Sequence, residues 1–295
     1  MSRPQNLKTT RPPFRSRIFL DGGDPNETKE VLDMMRFLDG QTTNPTLISK
    51  NPDIAQRIAR GEKFTVKEIL RVYREIVAKI SSLIPQGSVS IEVHSDSETT
   101  AEQMLEQAKE MNSWIPNAHI KYPATYEGLK AAERSISLGM KINMTLVFSQ
   151  GQAAAVYAAT QGARKGDVFL SPFIGRLDDK GENGMSLIKN IKKMYSSGDG
   201  HVEILAASVR SIDHLMGVMQ LGVDIVTLPG RLIKKWYGNG AKTPGADFVY
   251  PEGNLKDIPY QEMDLEKNWD EFDIRHGLTI AGLEKFAGDW NALIR

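Results

Sequence analysis

Short runs rich in β-branched and other apolar residues recur between longer amphipathic stretches from residue 17 to residue 230. That alternation predicts consecutive strand–helix units around a parallel sheet. Eight runs fit the pattern: Arg17 to Asp21, Gly40 to Asn44, Ser88 to Val93, His119 to Pro123, Lys141 to Val147, Val168 to Phe173, Val202 to Ser208 and Asp224 to Leu228. Between them, helical spacing covers 27–38, 98–114, 126–138 and 212–221, and the connection from the second run to the third holds two helices, 52–60 and 66–83. Thr125 can cap the helix that follows Pro123, with Gly139 as its left-handed stop. Beyond residue 230 the pattern loosens into GNGAKTPGADFVYPEGNLKDIP, which reads as a loop. A closing segment then places Leu278, Ile280, Leu283, Phe286, Trp290 and Leu293 at helical spacing. This last helix is expected to cover the barrel or to pack across a subunit interface, which leaves a homo-oligomer open.

Eight strand–helix units in 295 residues predict one α/β domain, a (β/α)8 TIM barrel with extra helices including the C-terminal one. Residues 1–16 are read as an N-terminal arm and 17–295 as the catalytic barrel with its C-terminal loop and helix.

Alternation within the strands sharpens the picture, because residues of one parity point into a barrel and the others pack on its helices. Ser90 and Glu92 lie opposite Val89, Ile91 and Val93, while Asn143 and Thr145 lie opposite Ile142, Met144 and Leu146. The inward set also takes Phe19 and Asp21, Thr42 and Asn44, His119 and Lys121, and Phe169, Ser171 and Phe173. So many polar groups near strand C-terminal ends are too costly for ordinary core packing, and that end of a barrel is where reaction sites are built.

Composition removes several alternatives. Lys plus Arg and Asp plus Glu both number 37, so no net charge steers the chain toward nucleic acid or a membrane surface. With no cysteine, disulfides, thiol nucleophiles and Cys-ligated metals are excluded. No metal site or cofactor is expected. The basic start MSRPQNLKTTRPPFRSR has no apolar run suited to secretion or membrane spanning, so a cytoplasmic location is expected.

A lysine amine attacks a ketone only when unprotonated, and burial disfavours the ammonium form. Lys121 has that setting, whereas Lys141 opens its strand at the opposite end and Lys130 falls on a helix. A protonated imine on Lys121 would draw electrons from the substrate and allow carbon–carbon cleavage without a metal. Asp21 is placed to accept and return the proton of a substrate hydroxyl, or else to be an ion-pair partner of Lys121. Glu92 with Thr145 could hold a water for the proton transfers of imine formation. Asn44 and Asn143 suit substrate hydroxyls, or else backbone groups inside the barrel. Ser171, Arg176, Ser208 and Arg210 converge at the mouth with chemistry suited to a phosphate, the alternative being pairing of the arginines with Asp178 or Asp179.

The motifs FLD (19–21), TTNPTLI (42–48), IEV (91–93), IKYPATYEGL (120–129), INMTLVFSQGQA (142–153), SPFIGRLDD (171–179) and AASVR (206–210) resemble the transaldolase family over almost the whole chain. The resemblance implies a Schiff base on Lys121, Asp21 as acid/base, and Glu92 with Thr145 on the catalytic water. It further implies substrate contacts from Asn44, Asn143 and Ser171, and Arg176, Ser208 and Arg210 at the phosphate end. The implied reaction moves a dihydroxyacetone unit from a ketose phosphate, such as sedoheptulose 7-phosphate or fructose 6-phosphate, to an aldose phosphate in the pentose phosphate pathway. Related fructose-6-phosphate aldolases, which release dihydroxyacetone, carry Gln at the position of Glu92 and Tyr at that of Phe173, so both residues here favour transfer. A non-catalytic barrel that binds phosphosugars is the alternative from another class. Tyr122 departs from the smaller residue commoner beside the lysine and is expected to face the helices.

Overall fold

Every strand of the computed structural model, which describes residues 15–295, joins one closed parallel barrel in chain order. The elements run β1 (Arg17–Asp21), α1 (Pro25–Met35), β2 (Gly40–Thr42), α2 (Pro45–Ser49), α3 (Pro52–Ala59), α4 (Val66–Leu83), β3 (Ser88–Glu92) and α5 (Ala101–Asn112). They continue with β4 (Ala118–Pro123), α6 (Tyr126–Ser137), β5 (Ile142–Val147), α7 (Gln150–Ala159), β6 (Val168–Pro172), α8 (Ile174–Asp178) and α9 (Gly184–Tyr195). The chain closes with β7 (Val202–Ala206), α10 (Ile212–Gln220), β8 (Ile225–Leu228), α11 (Gly230–Gly238), a 3-10 turn (Trp269–Glu271) and α12 (Gly277–Asn291). This is the (β/α)8 barrel with extra helices that the alternation predicts. Of the arm assigned to residues 1–16, residues 1–14 lie outside the described residues, and Ser16 is already buried, donating to the Val223 carbonyl at 2.7 Å.

Local signals set the helix starts. Thr65 and Thr100 form reciprocal capping boxes with Glu68 and Gln103. Asp24, Asn51, Thr125, Ser149 and Ser211 each accept a backbone N–H in the first turn of the helix that follows. Several strand ends differ from expectation by one or two residues, and three of these bear on the site. Asn44 caps α2, its Oδ1 accepting the Leu47 N–H at 2.9 Å, so β2 stops at Thr42. Phe173 lies just past β6 and meets Ala207 in an isolated bridge, and Ser208, beyond β7, has left-handed backbone (φ 58°).

Register decides which side chains share a level. Asp21 pairs with Thr42, Glu92 with Lys121, and Lys121 with Asn143. Below that level the interior is filled by rings: Phe19 meets Phe169 edge-on at 5.8 Å, and His119 stacks on Phe169 at 4.1 Å. Gly40 is required there, because a Cβ would stand 2.5 Å from the Phe19 ring. Arg17 and Glu203 close the lower end as an ion pair at 2.6 Å. Lys141 lies at that lower end, as expected, 3.8 Å from Asp167. Tyr122 faces outward and hydrogen-bonds Ser135 of α6 at 2.8 Å.

From α11 the chain crosses the outside of the barrel without regular structure as far as the 3-10 turn. It is fastened on the way, Asn183 N–H donating to Lys256 O at 2.8 Å and Ile258 N–H to Ser186 Oγ at 2.8 Å. Among the described residues no helix is long and apolar enough to cross a membrane.

Candidate active site

The strand C-terminal ends open into a cavity of about 420 Å3 whose lining includes Asp21, Asn44, Lys121, Thr145, Ser171, Phe173, Arg176, Ser208 and Arg210. Nine of the eleven candidates thus share one cavity. The other two, Glu92 and Asn143, sit directly behind its wall, buried and bonded to lining residues.

Lys121 is 3% exposed. Its Nζ lies 2.7 Å from Glu92 Oε2 and donates to the Thr43 carbonyl at 2.9 Å. The contact with Glu92 is close in distance but bent away from a hydrogen bond's alignment, so Oε2 keeps an unused lone pair. The ion-pair partner of Lys121 is therefore Glu92 and not Asp21, which corrects one of the two readings of Asp21. Burial raises the Glu92 carboxyl above the ordinary carboxylate range, against the pull of Lys121 and Arg176.

Asp21 retains some exposure to the cavity. Its Oδ1 accepts from Thr42 Oγ1 at 2.7 Å, which leaves Thr227, 2.7 Å from the same hydroxyl, as donor to Thr42. Shielding from water raises its pKa, with Thr42, Lys121 and Arg176 acting in the opposite direction. Thr145 Oγ1, on β5 across the barrel, is buried and has no partner among the described residues. Asn143 accepts from Ser171 Oγ at 2.6 Å and donates to Ser90 Oγ at 3.1 Å, so both ends of its amide are engaged inside the barrel.

Behind the lysine, the Thr43 hydroxyl donates to Ser90 O at 2.8 Å, so the Tyr73 hydroxyl, 2.7 Å away, donates to Thr43 and accepts the Glu92 N–H at 3.0 Å. Tyr73 comes from α4, and burial pushes its phenol well up, so it stays a neutral link between β2 and β3. Alternation within strands carries no sign of it.

The two arginines differ. Arg210 pairs with Asp179 at 2.9 Å on the exposed rim, the alternative foreseen for it, and reaches Ser208 Oγ at 3.4 Å. Its backbone N–H donates to His214 Nδ1 at 3.1 Å, so His214 Nε2 carries the hydrogen shared with Asp178 at 2.6 Å. Arg176 is half-buried between two rings, its Cζ 5.1 Å from the centroid of Phe173 and 5.4 Å from that of Phe286. Glu92, Asp179 and Asp21 act on it only through space, and desolvation followed by repulsion from Arg210 lowers its pKa. Lys50, Arg231 and Lys285 add further cations to the lining; they come from the end of α2, the start of α11 and the middle of α12, which strand parity does not address. Among the described residues no group of three or more His, Asp or Glu side chains is arranged to hold a metal ion.

This cavity, closed below and lined by a buried lysine with its glutamate partner behind it, a shielded aspartate and an arginine without a direct ion pair among the described residues, can hold a small polar molecule with an anionic end. A profile described as Transaldolase/Fructose-6-phosphate aldolase matches residues 18–295. The chain belongs to that family. Among curated relatives it is 36% identical to a "Probable transaldolase" of Dehalococcoides mccartyi, covering 94% of this chain and 99% of that one. It is 35% identical to a "Probable transaldolase" of Brucella melitensis over 93% of this chain and 96% of the relative. The same identity, 35%, relates it to "Probable transaldolase 2" of Listeria monocytogenes over 82% of this chain and 95% of the relative. This family member is an aldolase-type enzyme.

Proposed function

We propose that the chain is a transaldolase. It moves a dihydroxyacetone unit from a ketose phosphate to an aldose phosphate through a Schiff base on Lys121. The observation that carries this reading is the buried contact of Lys121 with Glu92, 2.7 Å apart, in a cavity that also holds Asp21 and the unpaired Arg176.

With Glu92 held above its usual range by burial, the carboxylate takes a proton from the Lys121 ammonium and frees the amine. The amine adds to the substrate ketone, and loss of water leaves a protonated imine. Glu92 and the unpartnered Thr145 hydroxyl provide the acid, the base and the hydrogen bond that guide this water. Asp21 accepts the proton of the hydroxyl on the carbon at the far end of the bond that breaks. The aldose leaves as an aldehyde, and the bonding electrons enter the imine to give an enamine. Condensation with an incoming aldehyde reverses the flow, Asp21 returning its proton to the new hydroxyl. Hydrolysis of the imine then restores Lys121. Arg176, Arg210 and Ser208 hold the phosphate, Asn44 contributes its free amide N–H2 to the sugar, and Asn143 acts on it through Ser171.

Borohydride added with fructose 6-phosphate is expected to fix a stable adduct on Lys121, found by peptide mass mapping and missing in Lys121→Met. An adduct on another residue, or none, would contradict the imine. Fructose 6-phosphate assayed with and without erythrose 4-phosphate as acceptor, following released glyceraldehyde 3-phosphate and free dihydroxyacetone, separates transfer from simple cleavage. A transaldolase gives much more product with the acceptor present.

A further inference from the structure

The phosphate end of the cavity is finished by the C-terminal helix. α12 is pinned at two places. Thr279, in its first turn, donates to the Leu146 carbonyl at 2.9 Å, where β5 turns through a left-handed residue (φ 58°), and accepts from Gln152 at 2.7 Å. At the other end Asp289 accepts from Thr46 of α2 and pairs with Lys285 at 3.1 Å. Residues 279, 282, 286 and 289 follow helical spacing, so they share one face. Between the two anchors that face meets Arg176. A Cβ at Gly282 would stand 2.8 Å from Arg176 Nη1 and 2.6 Å from Leu146 Cδ2, and the Phe286 ring forms one wall of the sandwich around the guanidinium.

We propose that Gly282 and Phe286 are positioning residues for Arg176, setting where its guanidinium meets the substrate phosphate. This rests on the reading of Arg176 as a phosphate ligand. Among the described residues no carboxylate forms an ion pair with Arg176, those of Glu92, Asp179 and Asp21 acting on it through space, so its place is fixed by what it packs on. The Phe173 ring, from the end of β6, supports one side, and α12 supplies the other. The missing side chain at Gly282 leaves room for Nη1, and the Phe286 ring attracts the cation. The rest of the reaction does not use α12, so its contribution is confined to substrates that carry the anion.

The test compares Gly282→Ala, Phe286→Leu, Phe286→Tyr and Arg176→Gln with the unaltered chain, using fructose 6-phosphate and unphosphorylated fructose as donors with unphosphorylated erythrose as the common acceptor, so that only the donor differs in charge. Gly282→Ala and Phe286→Leu are expected to raise KM for fructose 6-phosphate roughly tenfold, the size of a shielded cation–π contact, with kcat held within about twofold. KM for fructose is unchanged, and Phe286→Tyr, which keeps the ring, stays near the parent value. A general loss of structure would instead weaken both donors alike and would overturn the proposal. If Arg176→Gln raises KM for fructose 6-phosphate but Gly282→Ala and Phe286→Leu do not, the helix has no positioning role and only this proposal falls. If Arg176→Gln leaves that KM unchanged, the phosphate reading of Arg176 fails and the proposal fails with it.

Discussion

At the scale of single residues, the chemistry turns on how two buried groups share protons. Glu92 and Lys121 compensate each other's charge, and removing one member of such a pair leaves the other unmatched in a poorly solvated place. Glu92→Gln keeps the shape but abolishes the carboxylate. The expected result is a fall in transfer turnover on the order of 10²-fold, together with more free dihydroxyacetone per transfer event. Assays with and without acceptor measure both, and an unchanged ratio would count against the role given to Glu92. The pH profile is a second check. Burial raises both Glu92 and Asp21, so each keeps its proton to a higher pH than a free carboxyl. The ionised forms that accept protons are lost as pH falls through those raised values. The acid limb of kcat/KM is therefore expected above the usual carboxylate range of about 4, and a limb at or below that range would contradict the assignment.

The placement of Lys121, Asp21 and Glu92 around one interior was legible because strand parity needs only side-chain alternation. The carbonyl of Thr43, which holds the Lys121 amine, was not, since any residue type supplies a carbonyl. Tyr73 was hidden for a different reason: it reads as one apolar position on an amphipathic helix, and only the packing of α4 on β2 and β3 turns its hydroxyl toward Thr43 and Glu92. Asn44 carried two readings that sequence alone left open. It lines the cavity, yet its side-chain oxygen is taken by the cap of α2, leaving only its N–H2 for a sugar.

At the scale of elements, the strands were easier to read than several helices. α7 is buried nearly all round, with QGQAAAVYAA giving no polar face, so the 3.6-residue stripe that reveals a surface helix is missing. α9 starts on a glycine after the Asn183 cap, and α8 is too short for periodicity to register. Strand register is defended by close fits, of which Gly40 against Phe19 is the tightest inside the barrel. Gly40→Ala forces either the Phe19 ring or the β1–β2 pairing to move, and is expected to destabilise the fold by about 1–3 kcal/mol. A urea midpoint lowered at unchanged slope would show it, whereas an unaltered midpoint would mean that the ring relaxes freely.

At the scale of the whole molecule, a net charge of zero conceals an uneven distribution. The cavity lining gathers Lys50, Lys121, Arg176, Arg210, Arg231 and Lys285 against Asp21. Glu92, Asp179 and Asp289 pair with Lys121, Arg210 and Lys285, which still leaves a positive excess. A concave wall with such an excess focuses its field on an approaching anion. For a sugar phosphate, kcat/KM is expected to drop several-fold between roughly 0.05 and 0.5 M salt, as screening shortens to within about 10 Å. For an unphosphorylated sugar it should stay nearly flat, and equal salt sensitivity of the two would argue against capture by this charge.

Phe19, Phe169 and His119 fill the barrel beneath the lysine, so the chamber is blind on that side and its doorway lies at the strand C-terminal ends. A departing aldehyde and its replacement must use that doorway in turn. Under the proposed transfer the enzyme therefore stands for a moment with only the three-carbon fragment attached, and two aldoses compete for the same vacated space. Crowding by an abundant acceptor then slows the donor's entry, making the enzyme's throughput depend on the ratio of its two sugars and not on either alone.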